Sequence, residues 1–177
     1  MIIWNRLKYV LSPQFDIYKV VSPIISGKVV DIGFGTGFGT HLFAQHSDVV
    51  GYEVDEEAVE FAKSVFPHID FRCGDVVKGI DGKFDFVVMV DVLEHIRQDK
   101  KALLNAKDML LSGGKLILST PNRLSRYRKS KNHVKEYAPR ELEGILERYF
   151  GSVELRDYAL KPLVNQYENP IIAICKA

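Results

Sequence analysis

The sequence predicts an α/β fold, a doubly wound three-layer sandwich whose seven-stranded mixed sheet ends in an antiparallel strand pair. Three observations carry this. Short β-branched runs alternate with longer segments of helical period, the pattern of parallel strands joined by crossover helices. The run FDFVVMV at 84–90 is almost wholly apolar, as a strand covered on both faces must be. The final two strand-like runs have no helix between them, and strands joined without a crossover pair antiparallel.

The elements follow in order along the chain. A helix is expected over 14–22, inside an N-terminal helical segment 1–26. Gly27 then precedes strand 28–32, which runs into a glycine-rich turn. Helix 38–46 and strand 48–53 come next. In helix 56–66, Ala58, Phe61, Ala62 and Val65 form one i, i+3, i+4, i+7 stripe, and Pro67 marks its end. Strand 69–72, strand 84–90, helix 98–110 and strand 114–119 continue the alternation. Helix 139–149 and strands 152–158 and 170–176 complete it. Residues 121–137 are the one long polar connection and read as a mobile substrate lid.

At 177 residues and 20.1 kDa, the chain is expected to form a single domain, 1–177, with a core that needs no staple. The 24 basic and 23 acidic residues nearly cancel, so affinity for nucleic acid or anionic membrane must come from a local patch. Cys73 and Cys175 are far apart and form no CxxC or Cys/His spacing, so neither a disulfide framework nor a zinc site is signalled. Arg6 and Lys8 interrupt the apolar start, unlike a signal peptide, and no stretch is long enough to span a membrane. A cytoplasmic protein, monomer or homodimer, is the expectation.

The segment VVDIGFGTGFGT places glycines at 33, 35, 37 and 39 directly after a buried strand, where the backbone must turn tightly and approach a ligand closely. Twenty residues beyond Gly33, at the end of the next strand, Glu53 is placed to accept from both hydroxyls of a ribose. A dinucleotide fingerprint needs a small residue five positions after its first glycine. Those positions are Phe38 counted from Gly33 and Thr40 counted from Gly35, so both counts fail. Asp31 adds negative charge where phosphates would sit. An adenosine ligand with a cationic amino and sulfonium end suits the turn, which describes S-adenosylmethionine.

The chain resembles class I S-adenosylmethionine-dependent methyltransferases with a Rossmann-like fold, most nearly the small type found in quinone biosynthesis. DIGFGTG resembles the first family motif, VVGYEVDEEAVEFAK the second strand with its ribose-binding acid, and FRCGDVV the loop whose acid contacts adenine. FDFVVMVDVLEHI and LLSGGKLILSTPN resemble the strands lining the active site. The resemblance covers residues 28–150. It implies that Asp31 and the backbone of Gly33, Phe34, Gly35, Thr36 and Gly37 hold the methionine end. Glu53 would take the ribose and Asp75 the adenine amine, with Val54 and Val76 sandwiching the ring and Val90 lining the site. An exocyclic amine only donates, so an ionised carboxylate is its natural partner.

On the acceptor side, the sulfonium is already activated and much of catalysis is placement. A base is needed where the acceptor must lose a proton. Asp91, Glu94 and His95 directly follow strand 84–90, and His133 lies in the polar connection. His95 is the first candidate base and His133 the second, with Asp91 beside them. The same residues also resemble, more weakly, the divalent-metal set of small-RNA 2′-O-methyltransferases, although the commoner reading is metal-free. No Asn/Asp-Pro-Pro-aromatic turn, Pro-Cys pair or Lys-Asp-Lys-Glu pattern occurs, which discounts three other nucleic-acid classes. Loop 123–135 carries Arg123, Arg126, Arg128, Lys129, Lys131 and Lys135 and no acid, so the rest of the chain is net acidic. That loop suits an anionic small-molecule acceptor, or RNA, with Tyr127 and Tyr137 placed to stack or to anchor. A catalytically idle S-adenosylmethionine-binding module is the rival from another class.

Overall fold

The computed structural model describes residues 13–126 and 130–177. Its seven strands are β1 (Lys28–Ile32), β2 (Asp48–Glu53), β3 (Asp70–Cys73), β4 (Phe84–Val90), β5 (Leu110–Thr120), β6 (Ser152–Arg156) and β7 (Ile171–Lys176). The sheet order is β3-β2-β1-β4-β5-β7-β6. The first five strands are parallel, and β7 runs antiparallel between β5 and β6. The order reverses between β1 and β4, which opens a crevice at their carboxyl ends, where ligands bind in such sheets.

Among the described residues, five α-helices cover the two faces: α1 (Pro13–Val21), α2 (Phe38–Ala44), α3 (Glu56–Val65), α4 (Asp99–Asp108) and α5 (Pro139–Leu146). Alternation along each strand divides the core. Val29, Val88 and Ile117 face α1, α2 and α3, meeting Ile17, Val21, Phe43 and Ala62. Val30, Val87 and Leu116 face the other way, toward Leu103, Ala106, Leu142 and Leu146 of α4 and α5. In β4 every residue but Asp85 is buried, so its apolar run reflects cover on both sides. Asp55 caps α3 by accepting from Glu57 N–H at 3.0 Å, with Glu56 and Glu57 in the first turn and Lys63 in the last. Pro139 begins α5, where its missing N–H costs nothing.

Several element boundaries shift by one or two residues from the sequence reading, and two shift further. β5 begins at Leu110, not 114, because Leu110 pairs with Phe84 before the register shifts and resumes at Lys115 opposite Phe86. The Ser112-Gly113-Gly114 stretch, which reads as a break, is accommodated as a bulge with Gly113 at φ 78°. α5 stops at Leu146, and the following turn tightens to i→i−3 bonds, Arg148 N–H to Ile145 and Tyr149 N–H to Leu146. Among the described residues no helix is long and apolar enough to cross a membrane. Residues 1–12 of the expected N-terminal segment lie outside the described residues.

α1 seats against α2 through Gly39. A Cβ there would stand 2.4 Å from two ring atoms of Tyr18. Gly39→Ala is expected to destabilise the chain by about 1–3 kcal/mol through overpacking, read as a lower midpoint in urea unfolding. An unchanged midpoint would show that α1 shifts freely on α2.

Candidate functional site

A cleft of about 580 Å³ opens at the carboxyl ends of β1, β2 and β4. Its floor is the turn after β1, with Gly33, Phe34, Gly35 and Thr36. Its sides are Glu53 and Val54 after β2, Asp75 and Val76 after β3, and Val90, Asp91 and His95 beyond β4. Gln14, Phe15 and Tyr18 of α1 form a further wall. The turn is fixed by Gly33 N–H donating to Tyr52 O at 2.7 Å and Gly37 N–H to Phe34 O at 3.1 Å. Gly33 has φ +71°, and a Cβ on it would lie 2.5 Å from Val92, so glycine is required there.

Glu53 links the two edges of the cleft. Its Oε2 accepts from Gly35 N–H at 3.0 Å, and its Oε1 from Val54 N–H at 2.7 Å and Asp55 N–H at 3.3 Å. Asp75 stands in the cleft while its Oδ1 accepts from Val77 N–H at 2.8 Å, holding its own turn. Val54 is 64% exposed and Val76 4% exposed, both lining the cleft. Both add apolar surface to the side of the cleft that also carries Glu53 and Asp75.

Two residues of the expected cofactor set do not line the cleft. Gly37 caps the start of α2. Asp31 is fully buried beneath the turn, accepting from Tyr18 O–H at 3.1 Å and Thr40 Oγ1–H at 2.7 Å. It therefore ties α1 and α2 to the end of β1. Burial pushes its carboxyl up to about 7, opposed by the two hydroxyls and assisted by Glu53. An acid whose pKa is higher folded than unfolded holds an extra proton in the fold between about pH 4 and its folded pKa. Stability contributed by that proton is full below about pH 4 and is lost as pH rises toward about 7. Asp31→Asn is expected to flatten this fall in urea unfolding between pH 4 and 8; an unaltered slope would remove Asp31 as its source.

The acceptor side is assembled by the turn after β4. Asp91 adopts a left-handed φ of 51°. Its N–H donates to Ser119 O at 3.1 Å and Ser119 Oγ at 3.0 Å, and its Oδ1 accepts from Ser119 Oγ–H at 2.7 Å. Burial raises its pKa, while Ser119, His133 and His95 pull the other way. Leu93–His95 form a single 3₁₀ turn, and α4 starts only at Asp99. Glu94 is fully buried: Oε2 accepts from Thr120 Oγ1–H at 3.1 Å, and Oε1 has no hydrogen-bond partner among the described residues. Burial, with Asp91 adding, pushes Glu94 up to about 8.

The connection after β5 folds back onto this turn. Val134 N–H and Lys135 N–H both donate to Glu94 O, at 2.8 and 3.1 Å. His133 is thereby set edge-on to His95, with ring centroids 4.9 Å apart. His95 Nδ1 lies 3.1 Å from Asn132 O, and His133 Nδ1 lies 2.7 Å from Glu136 Oε1. Ligand atoms of Glu94, His95 and His133 all fall within 4.8 Å of one another. His95 lines the cleft and His133 does not. Glu136, buried, was not anticipated as a site residue, although its i+3 spacing from His133 was legible. Tyr18, Gln14 and Phe15 carried no local signal.

The basic connection is partly committed to structure. Arg123 pairs with Glu141 at 3.1 Å, and Lys135 reaches Asp99 at 3.4 Å and Glu141 at 3.3 Å while lying over the Tyr137 ring. Tyr137 is buried and donates to Asp99 at 2.8 Å, so it anchors. Arg126 and Lys131 are exposed; Tyr127, Arg128 and Lys129 lie outside the described residues. Asn122 fastens the start of the connection to the segment before β7. Its Nδ2 donates to Gln166 O and Glu168 O at 2.8 and 2.7 Å, and its N–H to Asn169 Oδ1 at 2.8 Å.

Comparison with known proteins agrees with this geometry. The chain is 29% identical over 113 residues to a probable S-adenosylmethionine-dependent methyltransferase of Mycolicibacterium smegmatis, covering 62% of this chain and 44% of the relative. It is 30% identical over 107 residues to the ubiquinone biosynthesis O-methyltransferase of Coxiella burnetii, covering 56% and 46%. The chain thus spans less than half the length of these relatives. Among solved structures, a possible histamine N-methyltransferase from Thermotoga maritima superposes with TM-score 0.76 at 20% identity, covering 98% of this chain and 93% of that one. A TehB-like methyltransferase from Corynebacterium glutamicum gives 0.75 at 22%, covering 98% and 94%. These likenesses show the fold. The methyltransferase domain model matches residues 30–118, half of the chain, running from within β1 to within β5 and so taking in the strand ends that build the cleft, and the chain belongs to the methyltransferase domain family.

Proposed function

We propose that the chain binds S-adenosylmethionine in this cleft and transfers its methyl group to an oxygen or nitrogen of a small molecule. The observation that carries the reading is Glu53, a carboxylate at the end of β2 bonded to the glycine turn, beside the apolar pair Val54 and Val76. Glu53 would hold the ribose diol, Val54 and Val76 would flank adenine with Asp75 toward its amine, and the turn from Gly33 to Thr36 would hold the methionine end. Asp31 acts from below, holding the turn through Thr40. Relatives named for S-adenosylmethionine and for O-methylation support the same chemistry.

When bound, S-adenosylmethionine would supply an activated methyl carbon, its sulfonium leaving as a thioether, to an acceptor oxygen or nitrogen, and a hydroxyl acceptor must give up its proton. His95 is placed to take it. A carbonyl oxygen only accepts, so the bond to Asn132 O puts the proton of neutral His95 on Nδ1 and leaves the lone pair on Nε2.

Calorimetric titration should give binding of S-adenosylmethionine and none of NAD; the reverse overturns the reading. Labelled S-adenosylmethionine incubated with fractionated extract should deliver label to the small-metabolite pool. Binding with no transfer to any pool would support the idle module instead.

A second reading, metal-assisted methylation of an RNA hydroxyl, is favoured by one observation, the convergence of Glu94, His95 and His133. A buried carboxylate with an unpartnered oxygen and two imidazoles suit a divalent ion of the Mn, Fe or Zn kind. Such an ion, when bound, would lower the pKa of an acceptor hydroxyl. The RNA half is less favoured, since Arg123 and Lys135 are held by acids of the protein itself. Loss of transfer in EDTA, with label in the RNA pool, would select this reading; transfer indifferent to EDTA would end it.

A further inference from the structure

The site beside the cleft differs from the set of four that the sequence suggested, and the difference lies in Asp91 and Glu136. Ligand atoms of Glu94, His95 and His133 come within 4.8 Å of one another, and Asp91 is not in that group. Asp91 is instead fastened to β5, through its N–H and its Oδ1, by Ser119. Glu136 is almost fully buried and meets His133 Nδ1 at 2.7 Å. Asn132 O meets His95 Nδ1 at 3.1 Å. Both rings therefore have Nδ1 turned to an acceptor, an arrangement that fixes the tautomer and leaves Nε2 as the ligating nitrogen.

Resting on the metal-assisted reading, we infer that Glu94, His95 and His133 alone form a three-ligand divalent-metal site, with Glu136 as the residue that positions His133 and Asp91 outside the coordination set. Three observations converge on this. Glu94 Oε1 is buried without a hydrogen-bond partner among the described residues, an uncommon state for a carboxylate oxygen. The backbone bonds from Val134 and Lys135 to Glu94 O hold the connection that carries His133 against the turn that carries Glu94 and His95. Finally, with metal–ligand distances of about 2.0–2.2 Å, ligand atoms stand at most about 4.4 Å apart, so the cluster needs to contract by only a few tenths of an ångström. Three protein ligands leave coordination positions for water or an acceptor oxygen, as catalytic metal sites do, and His95 places the site at the edge of the cleft.

The test uses the full chain stripped with chelator, titrated with Mn²⁺ and followed by the electron paramagnetic resonance of the free ion. S-adenosylhomocysteine binding, measured separately by calorimetry, shows whether each variant keeps its cleft. One saturable site per chain is expected. His133→Ala should abolish it, Glu136→Gln should weaken it by about 10–100-fold as loss of an orienting partner does, and Asp91→Asn should weaken it less than Glu136→Gln. Mn²⁺ binding by none of the proteins that bind S-adenosylhomocysteine would overturn both this inference and the metal reading, leaving the cofactor reading intact. Mn²⁺ binding that survives Glu136→Gln but is lost in Asp91→Asn would overturn the inference alone and restore Asp91 as a ligand. If Glu136→Gln fails to fold, Asp91→Asn against His133→Ala decides the coordination set.

Discussion

Replacing His95 with alanine is expected to lower methyl transfer by about 10²–10⁴-fold, the usual worth of a positioned proton acceptor, while the affinity for S-adenosylhomocysteine changes little. The split follows from geometry. His95 is an exposed residue of the cleft lining, on the side proposed for the acceptor, whereas the turn after β1 and Glu53 are the proposed nucleoside contacts. Transfer would be measured with labelled S-adenosylmethionine and the acceptor pool, and affinity by calorimetry. Equal loss in both would mean that His95 binds cofactor and takes no part in the acceptor's chemistry. If transfer instead stays within a few-fold of normal, the acceptor carries its own leaving proton to water and the site acts by placement alone.

Replacing Glu53 with alanine should have the opposite signature. It removes the acceptor of three backbone N–H groups, those of Gly35, Val54 and Asp55, as well as the proposed ribose contact. Losing a hydrogen-bonded charge of this kind costs about 1–3 kcal/mol, or roughly 10–100-fold in affinity. Glu53→Gln should recover part of the loss, because an amide oxygen accepts from the same donors but without charge. Calorimetry on the two variants tests this, with thermal unfolding to confirm the fold. An affinity unchanged in Glu53→Ala would take Glu53 out of the site and with it the reading of the cleft.

The strands that frame the cleft were legible because their signals are local. β1, β2 and β4 were delimited to the residue by buried β-branched runs flanked by glycine or charge, and Glu53 by its distance from Gly33. The antiparallel end of the sheet followed from two strands in succession, though their order, with β7 inside β6, is a matter of pairing that no local pattern encodes. The site's second layer was out of reach for the same reason. Tyr18 meets Asp31 across 13 residues and Glu94 meets Thr120 across 26. Asp31 illustrates the point: its position in the motif suggested a surface that touches ligand, yet the fold draws it beneath the turn, where two hydroxyls from different helices converge. The basic connection read as a free cationic lid because opposite charges that neutralise it, Glu141 and Asp99, come from helices on either side of it in sequence.

The bonds made by Asn122 carry a consequence for how this chain can change. Every residue assigned to the nucleoside comes from the strands β1 to β4 and their turns, while the amide of Asn122 hitches the segment 166–169 to the exit of β5. Residues 163–168, with Val164 and Tyr167 exposed, are therefore gripped through the main-chain carbonyls of Gln166 and Glu168, which any residue supplies, so their side chains can change while Asn122 keeps its hold.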